Sequence, residues 1–386
     1  MKRNRVVLAI LWILSLVGIS FFGGPVSYGF FALFTFIPVI SLIYLILVYF
    51  FFHIYQEPDK KHLTANHITP FHFILANEFH FGFVSVRVRF YSSFSTIIGL
   101  DDGVEYEFLP HTDIRMQTGL NCKYRGEYEI GIKTVELVDF FRLFRISYHN
   151  KEARRVVVKP DIVELTEIRS ISLSQTSARD SRINRTERDV TVRKYEFGDD
   201  PRLVNWKATA RSGELLVHKR IGEERVGIGI LLGTHRISGD NMEYIPVENK
   251  MLETAIALTL FFAKKNTPVY SYHISGRLSE ISVFGIDYFN AYYEQMSAVA
   301  FREDVTEEML MGEAGSRPEI FRCKTVFMVL RDWSEEIYNL AKRLHENGVL
   351  TVVYLVRDVS EGMTVPVIPG VIIRCIPKNA DIREVI

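Results

Sequence analysis

From residue 6 to residue 56 the chain has no formally charged side chain, a run of 51 positions. Few folds tolerate so long a stretch without charge, and a membrane-spanning one is the most direct. The run divides at Gly23-Gly24-Pro25, a strong turn signal. Val6–Phe22 precedes the turn, 17 residues or about 25 Å as a helix, and Tyr28–Tyr55 follows it, 28 residues or about 42 Å. A bilayer core is about 30 Å thick, so the first segment is short and the second has length to spare for tilt. Pro38 would kink the second helix, which membrane helices accept. The expectation is a transmembrane helical hairpin over residues 1–56. A cleaved signal sequence fits less well, because its apolar core is usually about 7–15 residues and a second apolar stretch does not follow at once. A buried core hairpin would show a polar outward face, and neither segment has one. Lys2, Arg3 and Arg5 precede the hairpin and Lys60 and Lys61 follow it, while the connecting turn has no charge. The positive-inside rule then predicts a two-span cell-membrane protein with its soluble part in the cytoplasm.

The remaining residues, 57–386, carry 43 basic and 46 acidic side chains. This mild acidity argues against a dedicated nucleic-acid binder. With 28 Phe and 18 Tyr the chain holds too much apolar mass to stay disordered. Cys122, Cys323 and Cys375 are too few and too scattered for a disulfide framework or a zinc site.

Residues 57–150 show short alternating runs. In Phe83–Phe90, Val84, Val86, Val88 and Phe90 share one face and Ser85, Arg87 and Arg89 the other, the period of a half-buried strand. Repeated runs with turn signals predict a small β-sandwich. Residues 151–222 form a separate stretch that opens with a Ser- and Arg-rich surface loop at 169–188. There Arg179, Arg182, Arg185 and Arg188 either grip anionic groups or sit on a solvated loop among Asp180, Glu187 and Asp189. Residues 223–386 alternate apolar strands (226–232, 268–274, 325–330, 350–356, 371–375) with helices (248–265, 288–301, 333–347). That alternation predicts an α/β domain with a mainly parallel sheet. The fold class is therefore a membrane-anchored multidomain α+β chain.

The segment richest in information runs from Arg193 to Gly213. Val190–Phe197 reads as a strand, Gly198 as a sharp turn, and Asp199 or Asp200 as the cap of a short helix with Pro201 at its first position. Leu203, Trp206 and Ala210 share one helical face, and Ser212-Gly213 ends the helix before a strand at Leu215-Leu216-Val217. The charged residues Arg193, Asp199, Asp200, Arg202 and Arg211 fit an ion-pair network, a recognition surface for a protein partner, or a phosphate site at the helix start. The paired aspartates disfavour the last, since they would repel anions.

The spacing of Arg193, Tyr195, Gly198, Asp199, Asp200, Arg202, Trp206, Ala210 and Arg211 resembles the signature of the bacterial domain of unknown function 58 family. Arg125-Gly126 with Tyr128, and Asp139-Phe140-Phe141 with Leu143-Phe144, also look like its pattern. The resemblance implies a membrane-anchored protein ending in a von Willebrand factor A-like domain. It implies a scaffold or adaptor role beside a MoxR-type AAA+ ATPase, in assembly or maturation of envelope proteins, often with a transglutaminase-like membrane protein. It implies no catalytic activity and no cofactor.

A von Willebrand A-like domain can hold Mg²⁺ through Asp-x-Ser-x-Ser after its first strand. Here Gly233-Thr234-His235-Arg236 stands in that place, so the expected site, near Gly233 and His235, is degenerate and binds no metal. No phosphate-binding lysine loop, nucleophile elbow or zinc spacing is present. Among the cysteines, Cys122 sits in a polar stretch and is expected to be the exposed one. Two other readings remain: a hydrolase using Asp199 and Asp200, and a metal-dependent adhesin facing outward.

Overall fold

The computed structural model describes residues 1–386 except 60–61, 101–102, 152, 170–191, 196–203, 219–226, 238 and 359–367. The chain divides into two compact units, Met1–Asp161 and Ile162–Ile386.

The first unit opens with two helices, α1 (Lys2–Phe22) and α2 (Pro25–Phe51), both long and apolar enough to cross a membrane. Gly23 and Gly24 have φ of 59° and 90°, a conformation that costs side-chain-bearing residues energy, and Pro25 opens α2 with a preset φ. The second helix ends earlier than the apolar run does. Phe52–Pro58 is strand β1, and it follows Phe51 directly.

Ten further strands follow among the described residues: β2 (His62–Thr64), β3 (Ile68–Asn77), β4 (Phe83–Phe90), β5 (Ser95–Ile97), β6 (Gly103–Phe108), β7 (Asp113–Cys122), β8 (Gly126–Ile130), β9 (Ile132–Val138), β10 (Arg145–His149) and β11 (Arg154–Lys159). They form sheets ordered β1-β3-β7-β5, β10-β9-β4-β6 and β2-β11-β8, antiparallel except for the β2–β11 pair. One core joins them. Phe71, Phe73 and Leu75 of β3 meet Val86, Val88 and Phe90 of β4 with Val135 and Leu137 of β9. Full burial of each large apolar side chain is worth about 1.5–3 kcal/mol. The alternation expected in β4 holds from Val86 onward. A register shift between Phe83 and Val86 changes its phase, so Phe83 and Ser85 are buried and Val84 is only half-buried.

The last third of α2 belongs to this sandwich. Ser41, Tyr44, Leu45 and Val48 are buried, while Leu42, Ile43, Ile46 and Phe50 on the other side of the helix are exposed. The Tyr44 hydroxyl donates to the Gly82 carbonyl at 3.1 Å and accepts from the Val84 N–H at 3.1 Å. Ser41 donates to the Asp139 carboxylate. Asp139 is buried at the end of β9 and also accepts the N–H groups of Phe141 (3.1 Å) and Phe144 (2.6 Å), which folds the 139–144 loop around it. That loop holds α1 as well: Asn4 Nδ2 donates to the Phe141 carbonyl at 2.8 Å and Arg5 Nε to the Leu143 carbonyl at 2.6 Å. The start of α1 and the end of α2 therefore lie against the same sandwich.

In the second unit, β12 (Val192–Lys194) and β13 (Leu216–His218) pair antiparallel and flank the short helix α3 (Trp206–Ser212). The main sheet contains β14 (Ile228–Leu232), β15 (Val269–Ile274), β16 (Leu278–Val283), β17 (Thr325–Leu330), β18 (Leu350–Val356) and β19 (Val371–Ile376). Its order is β16-β15-β14-β17-β18-β19, parallel throughout except for β16. Helices α4 (Asn241–Lys264) and α5 (Phe289–Ser297) cover one face. Helices α6 (Glu307–Gly315), α7 (Pro318–Phe321) and α8 (Glu335–Glu346) cover the other, and α9 (Ile382–Val385) closes the first core after β19. Burial on both faces accounts for the all-apolar strands: every residue of β14 and β17 is buried. Helix α4 starts earlier than its apolar stripe, because Asp240 caps it through the Met242 N–H. Its Thr259 is accommodated in the core by donating to the Ala255 carbonyl at 2.9 Å. Strand β16 and helix α6 add to the elements expected from the sequence.

Candidate functional site

In an open doubly wound sheet the chain reverses direction across the sheet at one place, and ligands favour the crevice outside the strand ends there. Here that place lies between β14 and β17, since the chain fills β14, β15 and β16 to one side and then β17, β18 and β19 to the other. Gly233, Thr234 and His235 leave β14, Arg331 and Asp332 leave β17, and Glu307 begins α6.

The polar groups here have protein partners. Glu307 is buried and accepts the N–H groups of Arg331 at 2.7 Å and Asp332 at 3.3 Å. A Cβ at Gly233 would lie 3.0 Å from Glu307 Oε1 and 3.3 Å from Leu330, so glycine lets the carboxyl come close. Burial, helped by the neighbouring Asp332, pushes the Glu307 carboxyl up to about 7, against the lowering effect of the two N–H bonds. Thr234 donates to the Ile274 carbonyl at 2.9 Å, and the His235 ring nitrogen Nδ1 lies 2.6 Å from the Val305 carbonyl. Arg236 makes a two-pronged pair with buried Glu248 at 2.6 and 2.8 Å and stacks over Tyr244. Asp332 receives Arg357 Nη1 at 3.3 Å.

This set does not fit a divalent cation. The strand end offers Gly233, Thr234 and His235, none of them a carboxylate, and the guanidinium of Arg236 stands next in the chain. The Glu307 carboxyl is turned onto backbone donors. Among the described residues no group of three or more His, Cys, Asp or Glu side chains is arranged to hold a metal. Sequence reading placed Gly233 and His235 at this edge and missed Glu307. Thr306-Glu307-Glu308 ahead of Met309-Leu310-Met311 is a helix-start signal that would have found it. The Thr306 hydroxyl indeed caps α6 through the Met309 N–H.

The signature segment is described in part. Gly198, Asp199, Asp200 and Arg202 lie outside the described residues, as does most of the 169–188 loop. Arg193 lies on β12 opposite Val217, and the Tyr195 N–H donates to the Leu215 carbonyl at 2.8 Å. Helix α3 is shorter than expected. Its cap is Asn205, whose side chain accepts from the Ala208 N–H at 3.1 Å. Gly213, with φ 74°, ends it, as the sequence suggested. The Leu216 N–H donates to Thr209 Oγ1 at 3.0 Å, and Lys194 pairs with Glu214 at 2.6 Å, so strand, helix and strand hold together. Trp206 is not a core residue: it is 69% exposed, and Lys207 and Arg211 beside it are exposed too. Cys122, expected at the surface, is buried, and burial pushes its thiol up.

The described architecture is thus two apolar helices, a β-sandwich and a mostly parallel α/β sheet. Residues 191–268 match the model of the family described as protein of unknown function DUF58. No curated protein matches the chain. Among solved structures, the CARDB domain of a Pyrococcus furiosus protein, crystallised with di-metal ions, is 16% identical over 28% of this chain and 94% of its own, with a TM-score of 0.19. The bacterial hydrophobin BslA is 11% identical over 28% and 96%, with a TM-score of 0.19. A cohesin–dockerin complex from Clostridium thermocellum is 10% identical over 27% and 86%, with a TM-score of 0.17. Similarities this low carry no argument about function.

Proposed function

We propose that the chain is a membrane-anchored adaptor without chemistry of its own. In this reading α1 and α2 cross the membrane, and the sandwich, the signature segment and a von Willebrand A-like domain face the cytoplasm. The partner is a MoxR-type AAA+ ATPase, with a transglutaminase-like membrane protein as a second neighbour, and the role is assembly or maturation of envelope proteins. The sheet order, with its reversal between β14 and β17, supports the von Willebrand A-like assignment. The cytoplasmic orientation draws support from Lys2, Arg3 and Arg5, which lie at the end of the hairpin that meets the sandwich. The engagement of Thr234, His235 and Glu307 in protein hydrogen bonds favours binding over catalysis.

The observation that carries the adaptor reading is Trp206, an exposed indole flanked by Lys207 and Arg211 inside the matched segment. Trp and Arg are the side chains most often found at the energetic centre of protein interfaces. The test is cross-linking and capture of the full-length chain from its native membranes, read by mass spectrometry. An AAA+ ATPase is expected with the wild type, and Trp206→Ala is expected to reduce its recovery at least about tenfold. The variant's stability should change by no more than about 0.5 kcal/mol, as for other surface positions. Capture of abundant, intact protein with no ATPase would overturn the reading.

A further inference from the structure

Between the first turns of α1, the middle of α2 and the 139–144 loop lies a cleft of about 400 Å³. Its walls are apolar: Ala9 and Trp12 from α1, Phe34 and Pro38 from α2, and Phe144 from the loop. The polar groups in its depth are already satisfied. Trp12 Nε1 donates to Thr35 Oγ1 at 3.0 Å, and Thr35 donates to the Phe31 carbonyl at 2.7 Å. The charged group on its lining is Arg5, at the end nearest the sandwich. Arg5 is held in place by its Nε bond to the Leu143 carbonyl and by stacking at 5.8 Å over Phe144. Both of its terminal amino groups have no partner among the described residues. Lys2 and Arg3 lie on the same turn, and neither α1 nor α2 contains an acidic residue.

A ligand that fits is apolar along its length and anionic at one end. We propose that this cleft holds one anionic phospholipid of the surrounding bilayer, its acyl chain between α1 and α2 and its phosphate on Arg5. The proposal rests on the membrane-anchor reading. Basic pockets between membrane helices, on the positively flanked side, are where such head groups gather. The volume is within the about 300–1,000 Å³ of ordinary ligand sites, and the single fixed guanidinium gives the two-pronged phosphate contact that lysine cannot. Free phosphate would gain nothing from the apolar walls, so the lipid is the occupant the chemistry selects.

The full-length chain is to be purified from membranes in mild detergent and incubated with phosphatidylglycerol and phosphatidylcholine of identical acyl chains. Bound lipid is then counted by native mass spectrometry. One phosphatidylglycerol per chain is expected, preferred about fivefold over phosphatidylcholine, as one basic residue near a lipid surface provides. Ala9→Trp fills the cleft from a position that makes no side-chain hydrogen bond, and is expected to lose the retained lipid while the chain stays in the membrane fraction. Equal retention of the two lipids by the wild type would overturn the proposal, and so would unchanged retention by Ala9→Trp. Release of the wild-type chain from membranes by alkaline carbonate would overturn the anchor reading instead, a result that the lipid count cannot mimic.

Discussion

Asp139 in the sandwich and Glu307 at the sheet edge are both buried carboxyls, and both accept two backbone N–H groups. They differ in where the donors come from. The backbone donors of Asp139 are two and five residues along its own loop, and a third donor, Ser41, arrives from 98 residues away. The donors of Glu307 lie 24 and 25 residues on, at the end of the neighbouring strand β17, and Asp332 adds a like charge there. The same chemical device therefore serves two ends. Around Asp139 it builds a loop and ties it to a helix, and at Glu307 it joins the start of α6 to the end of β17 at the cost of holding a carboxyl against its tendency to ionise.

The largest expected effect comes from Asp139→Ala. It leaves the Phe141 and Phe144 N–H groups and the Ser41 hydroxyl without their acceptor, at a cost of about 4 kcal/mol. Thermal unfolding of the full chain in detergent measures it, and a loss below 1 kcal/mol would mean that the loop does not depend on its carboxylate. Glu307→Gln sharpens the other side. The native state holds the Glu307 proton more tightly than the unfolded chain, so this group's contribution is complete at low pH and drains away as pH rises from about 4.5 to about 7. Replacing it with glutamine should remove that decline, about 3 kcal/mol across the window, in denaturant titrations of wild type and variant at matched pH values. A slope that is the same in both would show that another group sets it. The smallest effect belongs to Ser41→Ala, about 1 kcal/mol, because the loop's own two N–H bonds to Asp139 persist. Should it equal Asp139→Ala, the helix contact rather than the loop is what Asp139 serves.

Local patterns carried much of the fold. Thr325–Leu330 and Leu350–Val356 are strands with the boundaries their apolar runs suggest, and Gly348, at φ 73°, ends the helix before β18. Failures occur where a distant partner decides the outcome. The second apolar segment looked long for one bilayer. Its surplus is explained by Tyr44, which reaches Gly82 and Val84 of the sandwich, and by Phe52–Pro58, which pairs with Ile68–Asn77. The Asp139-Phe140-Phe141 pattern was visible as a resemblance, but nothing local points to Ser41. At the sheet edge Gly233-Thr234-His235 was legible as the end of an apolar strand. Thr306-Glu307-Glu308 could be read as a helix start, but the meeting of Glu307 with this strand end could not, since its helix lies more than 70 residues further on. Helix α3 starts at Trp206, later than the pattern of Leu203, Trp206 and Ala210 implied, and Asn205 caps it.

The join between α2 and the sandwich has a mechanical side. Phe51 ends the helix and Phe52 begins β1, which then pairs along its whole length with β3, so no slack residue separates rod from sheet. Ser41 and Tyr44 brace the rod a second time, two to three turns earlier. A twist or pull applied to the sandwich is therefore delivered to the hairpin without lost motion, as through a bolted lever. A fragment cut at residue 57 would lose most of an edge strand together with both apolar helices.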